Sequence, residues 1–376
     1  MGVALAHPAR VPAAMRVRQI APGSITAGDL ARWRDLAVRA LEPNPFFESA
    51  FVLPAAERLG ERGTSLLVVE DGGGWLACLP VQSVRIARMV PGLRTWRHLY
   101  CFLGTPLLDA ESAVPAARSL LEAALGRGRQ LMLESLDDGG LTAAALTQAA
   151  DELSLVTVHE SGHDRALLER RPAGDYLENV RSHHRRELNR LGRRLESELG
   201  GALTVSDESG NDAALDQFLD LERSGWKGRR HTALGSSPAH AEFFRDVCRA
   251  FAEHGRLQLL SLSAGNRTVA MKCNLTAGEG AFCFKIAYDE ELARFSPGVQ
   301  LERENIRVFH EGRNEQWQDS CADPENTMIN RLWPDRRRIR TVVLARRGAL
   351  AAVSRQGIKT AHTMREIERR RSSPKS

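Results

Sequence analysis

The chain has 376 residues, 43% of them hydrophobic and 26% charged, with a formal net charge of +5. Such values belong to an ordinary globular protein of about two domains, not to a disordered, fibrous or disulfide-stapled chain. No apolar run approaches the roughly 18 residues of a membrane span, Met1 to Arg16 lacks a secretory pattern, and none of the six cysteines is in a C-x-x-C pair. The expectation is a cytoplasmic protein with reduced, mostly buried thiols and no metal site.

Leu30 to Leu41 has helical periodicity, with Trp33, Leu36, Ala37 and Leu41 on one face. Past the Pro43-Asn44-Pro45 break, Phe46 to Leu59 predicts a second helix. A hairpin follows, Ser65 to Val69 and Trp75 to Val84 about the turn Asp71 to Gly74. A strand is expected around Leu99 to Leu103, a helix over Val114 to Leu125 and a strand over Gln130 to Glu134. Asp175 to Leu199 reads as a strongly basic helix with an apolar stripe of Leu188, Leu191, Leu195 and Leu199.

The second half repeats that order. Helices are expected over Ala213 to Arg223 and Pro238 to His254, with the loop Gly225 to Ser237 between them. A hairpin spans Arg256 to Thr276 about Ala264 to Asn266. A strand at Gly280 to Tyr288 then leads to a helix over Pro297 to Glu311, and Gln316 to Ser320 is the last strand. Two similar α/β modules follow from the duplication. From Arg336 onward there are 13 Lys or Arg against Glu366 and Glu368, a net +11 that leaves −6 on the first 335 residues. Such an end predicts a solvated basic tail, with a helical stretch over Ala349 to Arg371.

Chemistry concentrates in the second half. Ser296, Pro297 and Gly298 suit an N-cap, a first helical position and a close backbone approach, so with Arg294 and Val299 they predict an anion site at a helix N-terminus. The matching junction of the first half carries Asp109 and Glu111, which repel an anion. Alternation along Phe282 to Asp289 puts Phe282, Phe284, Ile286 and Tyr288 on one face and Cys283, Lys285, Ala287 and Asp289 on the other. The loop after Glu222 displays Trp226, Lys227 and Arg229, an aromatic flanked by cations that suits substrate binding. Asp319, at the end of the last strand, would reach Tyr288 if the two strands are neighbours. The His183-His184 pair lacks the Asp of an H-H-x-x-x-D motif, and no G-x-S-x-G or P-loop is present.

The ordered set Leu221-Glu-x-x-Gly-Trp-Lys-Gly-Arg229, Thr232 to Leu234, Lys285 to Glu290, Ser296 to Gly298, Asp319 to Ala322 and Leu332-Trp333 resembles GNAT-superfamily acetyltransferases of the CelD-like, FemAB-related type. The resemblance is dense from about Asp175 to Trp333. It implies two tandem GNAT-like modules, each a mixed twisted α/β sheet flanked by helices. The boundaries expected are 1–15 for a flexible N-terminus, 16–160 for a degenerate module, 161–345 for a catalytic module and 346–376 for the tail.

It also implies acyl transfer from acetyl-CoA or another acyl-CoA to an amine of a small molecule or sugar-linked precursor. Under that analogy the thioester carbonyl meets a backbone N–H near Ile286 to Tyr288, and CoA pyrophosphate sits at Ser296 to Val299 beside Arg294. Tyr288 is the candidate general acid, and Glu222, Asp289 and Asp319 are the candidate bases. Trp226, Lys227, Arg229 and Lys285 are the candidate substrate contacts. The segment Arg294 to Gln300 departs from the usual pyrophosphate loop: its glycine falls one position late and Gln300 replaces the final small residue. Two other readings stay open, an aminoacyl-tRNA-dependent transferase, the one case calling for nucleic acid, and a non-catalytic part of an exopolysaccharide-synthesis assembly.

Overall fold

The computed structural model describes residues 14–60, 63–86, 90–126, 130–160, 162–172, 180, 182–312 and 315–347. The expected tail helix and the start of the basic helix lie outside them. In the first half β1 (Arg16–Ile20) precedes α1 (Ala27–Arg39), which opens on a capping box between Thr26 and Asp29. Then come α2 (Ser49–Arg58), the hairpin β2 (Thr64–Asp71) and β3 (Gly74–Ile86), β4 (Val90–Thr95) and the short β5 (Leu107–Leu108). α3 (Ala113–Ala124), β6 (Gln130–Asp137), α4 (Leu141–Glu152) and β7 (Val156–His159) complete this half. β8 (His163–Glu169) and α5 (Ser182–Leu199) lead to the second half.

There β9 (Leu203–Asp207), α6 (Asp212–Ser224), the single turn α7 (Trp226–Arg229) and α8 (Pro238–Ala252) precede the hairpin β10 (Leu257–Ala264) and β11 (Arg267–Ala277). β12 (Gly280–Tyr288), α9 (Pro297–Gly312), β13 (Trp317–Asp319), α10 (Thr327–Leu332) and β14 (Asp335–Ala345) follow. Leaving out β5 and α7, the two halves repeat element for element: strand, two helices, hairpin, strand, helix, strand, helix, strand. Each half has a parallel strand pair joined through a helix, β4 with β6 and β12 with β13. All these strands belong to one mixed sheet, ordered β1-β2-β3-β4-β6-β14-β8-β13-β12-β11-β10-β9, with β5 on β3 and β7 on β14.

The join between halves explains what the sequence reading missed. β14 pairs with β6 and β7 of the first half and with β8, so Arg336 to Arg340 form a strand, not the head of a solvated tail. Its cations are met there: Arg337 by Asp137 (2.9 Å), Arg338 by Asp164 (3.1 Å) and Arg340 by Asp138 (3.2 Å). No strand forms over Leu99 to Leu103. Tyr100 and Leu103 instead enter an aromatic core shared by both halves, where Phe51 meets Phe243 edge-on at 5.4 Å and Tyr100 stacks on Phe243 at 5.2 Å. Burial of each such ring contributes roughly 1.5–3 kcal/mol. Arg256 of the second half clamps the buried Glu48 carboxylate through two 2.6 Å bonds. Among the described residues no helix is long and apolar enough to cross a membrane.

Candidate active site at the end of the twelfth strand

β12 opens the site. β13 pairs with it only over Gly280–Phe282, so between Cys283 and Tyr288 its pairing is to β11. The Asp289 N–H bonds the Val269 carbonyl (2.9 Å). Antiparallel alternation therefore turns the N–H groups of Ile286 and Tyr288 away from β11, toward the side where β13 has ended. A bulge shifts the register, Cys273 facing Lys285 while Asn274 faces Cys283. This overturns the simple alternation. Phe284 and Lys285 both face the aromatic core, and Cys283 and Tyr288 face α9. A bulge places one extra residue on its strand and so inverts every face beyond it.

Past Tyr288 the chain makes a 3-10 turn, Glu290–Phe295, and enters α9 through Ser296, whose φ of 54° and ψ of 56° are left-handed. The Ser296 carbonyl accepts from the N–H groups of Val299 (2.9 Å) and Gln300 (3.1 Å). Pro297 has no N–H to satisfy. Gly298 was expected to admit a ligand; what approaches it is the Tyr288 ring, whose Cδ1 would lie 3.2 Å from an added Cβ. Burial, then the nearby Glu290 carboxylate, raise the Tyr288 hydroxyl above its ordinary value, so it holds its proton at neutral pH. Arg294 lies over Phe295 and pairs with Glu198 of α5 at 2.6 Å. Both partners are exposed, so the pair is weak and the guanidinium can turn to another anion.

The three candidate bases are engaged elsewhere. Glu222 is buried at the end of α6 and accepts from the Leu234 N–H (2.8 Å). Asp289 caps the 3-10 turn through the Glu291 N–H (3.0 Å) and pairs with Arg267. Asp319 is fully buried between Arg165 (2.6 Å) and Arg337 (2.8 Å), and accepts from the Cys321 N–H (2.8 Å). Burial alone would lift its carboxyl, but the two guanidiniums and that N–H outweigh it and hold it below the usual carboxylate range. The expected adjacency to Tyr288 fails. Asp319 pairs with Phe282, and Tyr288 lies six steps further along the strand, roughly 20 Å at about 3.3 Å per residue.

Around the open edge, Trp226 is 43% exposed with Arg230 over its ring at 5.4 Å. Arg229 pairs with Glu290 at 2.6 Å; the Lys227 side chain lies outside the described set. Lys285 sits over the Tyr100 ring at 4.4 Å, and the Tyr100 hydroxyl meets His240 Nδ1 at 2.8 Å. Tyr288, Arg294, Ser296 to Val299, Trp226 and Arg229 thus converge on one end of β12. Lys285 faces the opposite side of the sheet and Asp319 stands apart.

Sequence reasoning missed the polar layer under α9. Lys272 and Glu302 form a buried pair at 2.5 Å, and Glu302 also accepts from Trp333 Nε1 and Asn305 Nδ2, both at 3.0 Å. Asn305 joins Asn274 (2.8 Å) and Gln318 (2.9 Å). Burial opposes the Lys272 charge, but the Cys283 sulfur and Glu302 raise its pKa above the ordinary value, while burial pushes the Cys283 thiol up to about 12. The lysine is thus held charged beneath α9, and Cys283 is no nucleophile. An open cleft of about 540 Å³ between α4, β6, β7 and β14 has a mixed lining, with Leu133 and Leu146 beside Asp138 and His159, and lies away from the end of β12.

Residues 182–315 match the family model described as an acetyltransferase (GNAT) domain. The match spans α5 to the loop before β13 and contains the open edge, the 3-10 turn Glu290–Phe295 and α9. That segment of the second half is thus similar to a GNAT domain, and the whole is a mixed α/β fold whose two halves repeat the same order of elements. No curated protein matches the chain. Solved structures resemble the fold at low identity. FemX is 10% identical with a TM-score of 0.53, over 82% of this chain and 91% of its own. The C-terminal domain of a protein described as a lysylphosphatidylglycerol synthetase, from Agrobacterium fabrum, is 12% identical with a TM-score of 0.52, over 89% and 96%. A conserved Bacteroides thetaiotaomicron protein is 10% identical with a TM-score of 0.52, over 85% and 97%.

Proposed function

We propose that this chain is an acyl-CoA-dependent N-acyltransferase working at the open edge of β12. The observation that carries the reading is the parting of β12 from β13 after Phe282, beside a helix N-terminus on which Tyr288 is packed. A thioester lying along that edge meets the outward N–H of Tyr288, and its phosphates reach the start of α9 and Arg294. The acceptor amine, as its free base, attacks the thioester carbonyl, the Tyr288 N–H stabilises the oxyanion, and the leaving thiolate takes the Tyr288 hydroxyl proton. Glu222, Asp289 and Asp319 are held in caps and ion pairs, so the proton that the attacking nitrogen loses on forming the amide passes to water, and water reprotonates Tyr288. Trp226 and Arg229 contact the acceptor on the loop above.

A second reading keeps the same edge for an aminoacyl-tRNA donor. It is favoured by the exposed Arg186, Arg190, Arg193 and Arg194 on α5, an electrostatic footprint suited to RNA. Thiol release from acetyl-CoA, followed against a panel of small amines and amino sugars, separates the two. Amine-dependent release is the expected result. No release with any amine, together with transfer from aminoacyl-tRNA, would replace the first reading by the second.

A further inference from the structure

Glu290 joins two loops that the sequence reading treated separately. It is the first residue of the 3-10 turn that ends at Ser296 and α9. Its Oε1 accepts the Trp226 N–H at 2.5 Å, and its Oε2 accepts from Arg229 Nη2 at 2.6 Å. Trp226 and Arg229 belong to the short turn between α6 and α8, 61 residues or more away in sequence. Gly225 is shaped for this contact, since a Cβ there would lie 2.7 Å from Glu290 Oε1. The Glu290 charge also adds to the upward shift of the Tyr288 hydroxyl. One side chain therefore touches the acceptor turn, the donor turn and the field at the candidate acid.

We propose that Glu290 is a positioning residue that ties the acceptor turn to the donor turn, so that filling the donor site orders Trp226. The physical reason is reach. The Trp226 N–H at the start of a single helical turn has no intrahelical acceptor, and a charged acceptor forms a stronger bond with it than a neutral one. Any shift of residues 290–296 on closing around an anion is passed through that bond to the indole. The Arg229 contact is exposed and contributes little stability, so the backbone bond is the operative link. This inference rests on the donor site proposed above.

Trp226 is well suited as the reporter. Trp33, Trp75, Trp96 and Trp333 are at most 1% exposed and Trp317 is partly buried, whereas Trp226 is 43% exposed. Acrylamide quenching of tryptophan fluorescence is measured with and without acetyl-CoA, and the Trp226→Phe protein isolates the signal of this indole. In the native chain acetyl-CoA is expected to reduce Trp226 quenching. Glu290→Ala raises quenching in the free protein and abolishes the response while acetyl-CoA still binds; Glu290→Gln, which keeps an oxygen for the Trp226 N–H, retains the response. Native-like quenching and response in Glu290→Ala would overturn the proposal, and so would a loss in Glu290→Gln as large as in Glu290→Ala. If acetyl-CoA binds none of the proteins, the donor reading fails, and ligand-free quenching of Glu290→Ala still decides whether the tie exists.

Discussion

Tyr288→Phe is expected to lower turnover by about 10²- to 10⁴-fold, the usual contribution of a positioned acid, with acetyl-CoA affinity unchanged. The substitution removes only the hydroxyl. The ring that packs on Gly298 stays, so the donor turn and the start of α9 keep their geometry. Burial and Glu290 keep the native hydroxyl protonated across the physiological range, which is the state a donor to a thiolate requires. The check is steady-state kinetics at saturating acetyl-CoA beside a binding titration. Unchanged turnover would remove Tyr288 from the chemistry; a parallel loss of binding would make it a structural wall of the donor site.

Asp319→Asn is expected to cost about 3–5 kcal/mol of folding stability, the usual effect of removing one partner from a buried ion pair. Two guanidiniums, Arg165 and Arg337, converge on this carboxylate at full burial, and the amide supplies no charge to either. β8, β13 and β14 meet at this point, so the loss falls on the join between the halves. Urea unfolding reads it as a lower midpoint at nearly constant slope. If Asp319 were the general base allowed by the sequence alone, the same substitution would cut turnover and leave the unfolding midpoint in place. The two roles are thus separable in one protein.

What the sequence disclosed follows from which forces are local. β12, both hairpins and α9 carry their signals within segments of 9 to 23 residues: period-two or period-3.6 patterning, a Gly-containing turn, a Pro at the first helical position. The expected bounds of β12 and the observed Gly280–Tyr288 coincide. α4 was missed because its Ala-rich run, Leu141 to Glu152, shows little contrast between faces. β14 was missed because Arg336 to Arg340 reads as tail, and the carboxylates that meet those arginines come from positions 137, 138, 164 and 319.

The site was legible in part for the same reason. The residues converging at the end of β12 lie close in sequence or in a displayed loop, and their types suggested an anion site and an aromatic flank. The bulge at Phe284 left no local mark, so every face beyond it was inverted. The Lys272–Glu302 pair and the Glu290–Trp226 bond span 30 and 64 residues. Pairing at that range is a property of the folded sheet, not of a sequence window.

The central claim is that acyl-CoA binds at the turn into α9, and calorimetric titration of the full chain with acetyl-CoA tests it most directly, repeated on Arg294→Glu. Arg294 is exposed and its pair with Glu198 is weak, so the variant keeps its fold while reversing the charge beside the α9 N-terminus. Saturable one-to-one binding by the native chain, lost or strongly weakened in the variant, is the result expected here. No binding by the native chain, or equal binding by both proteins, would contradict it.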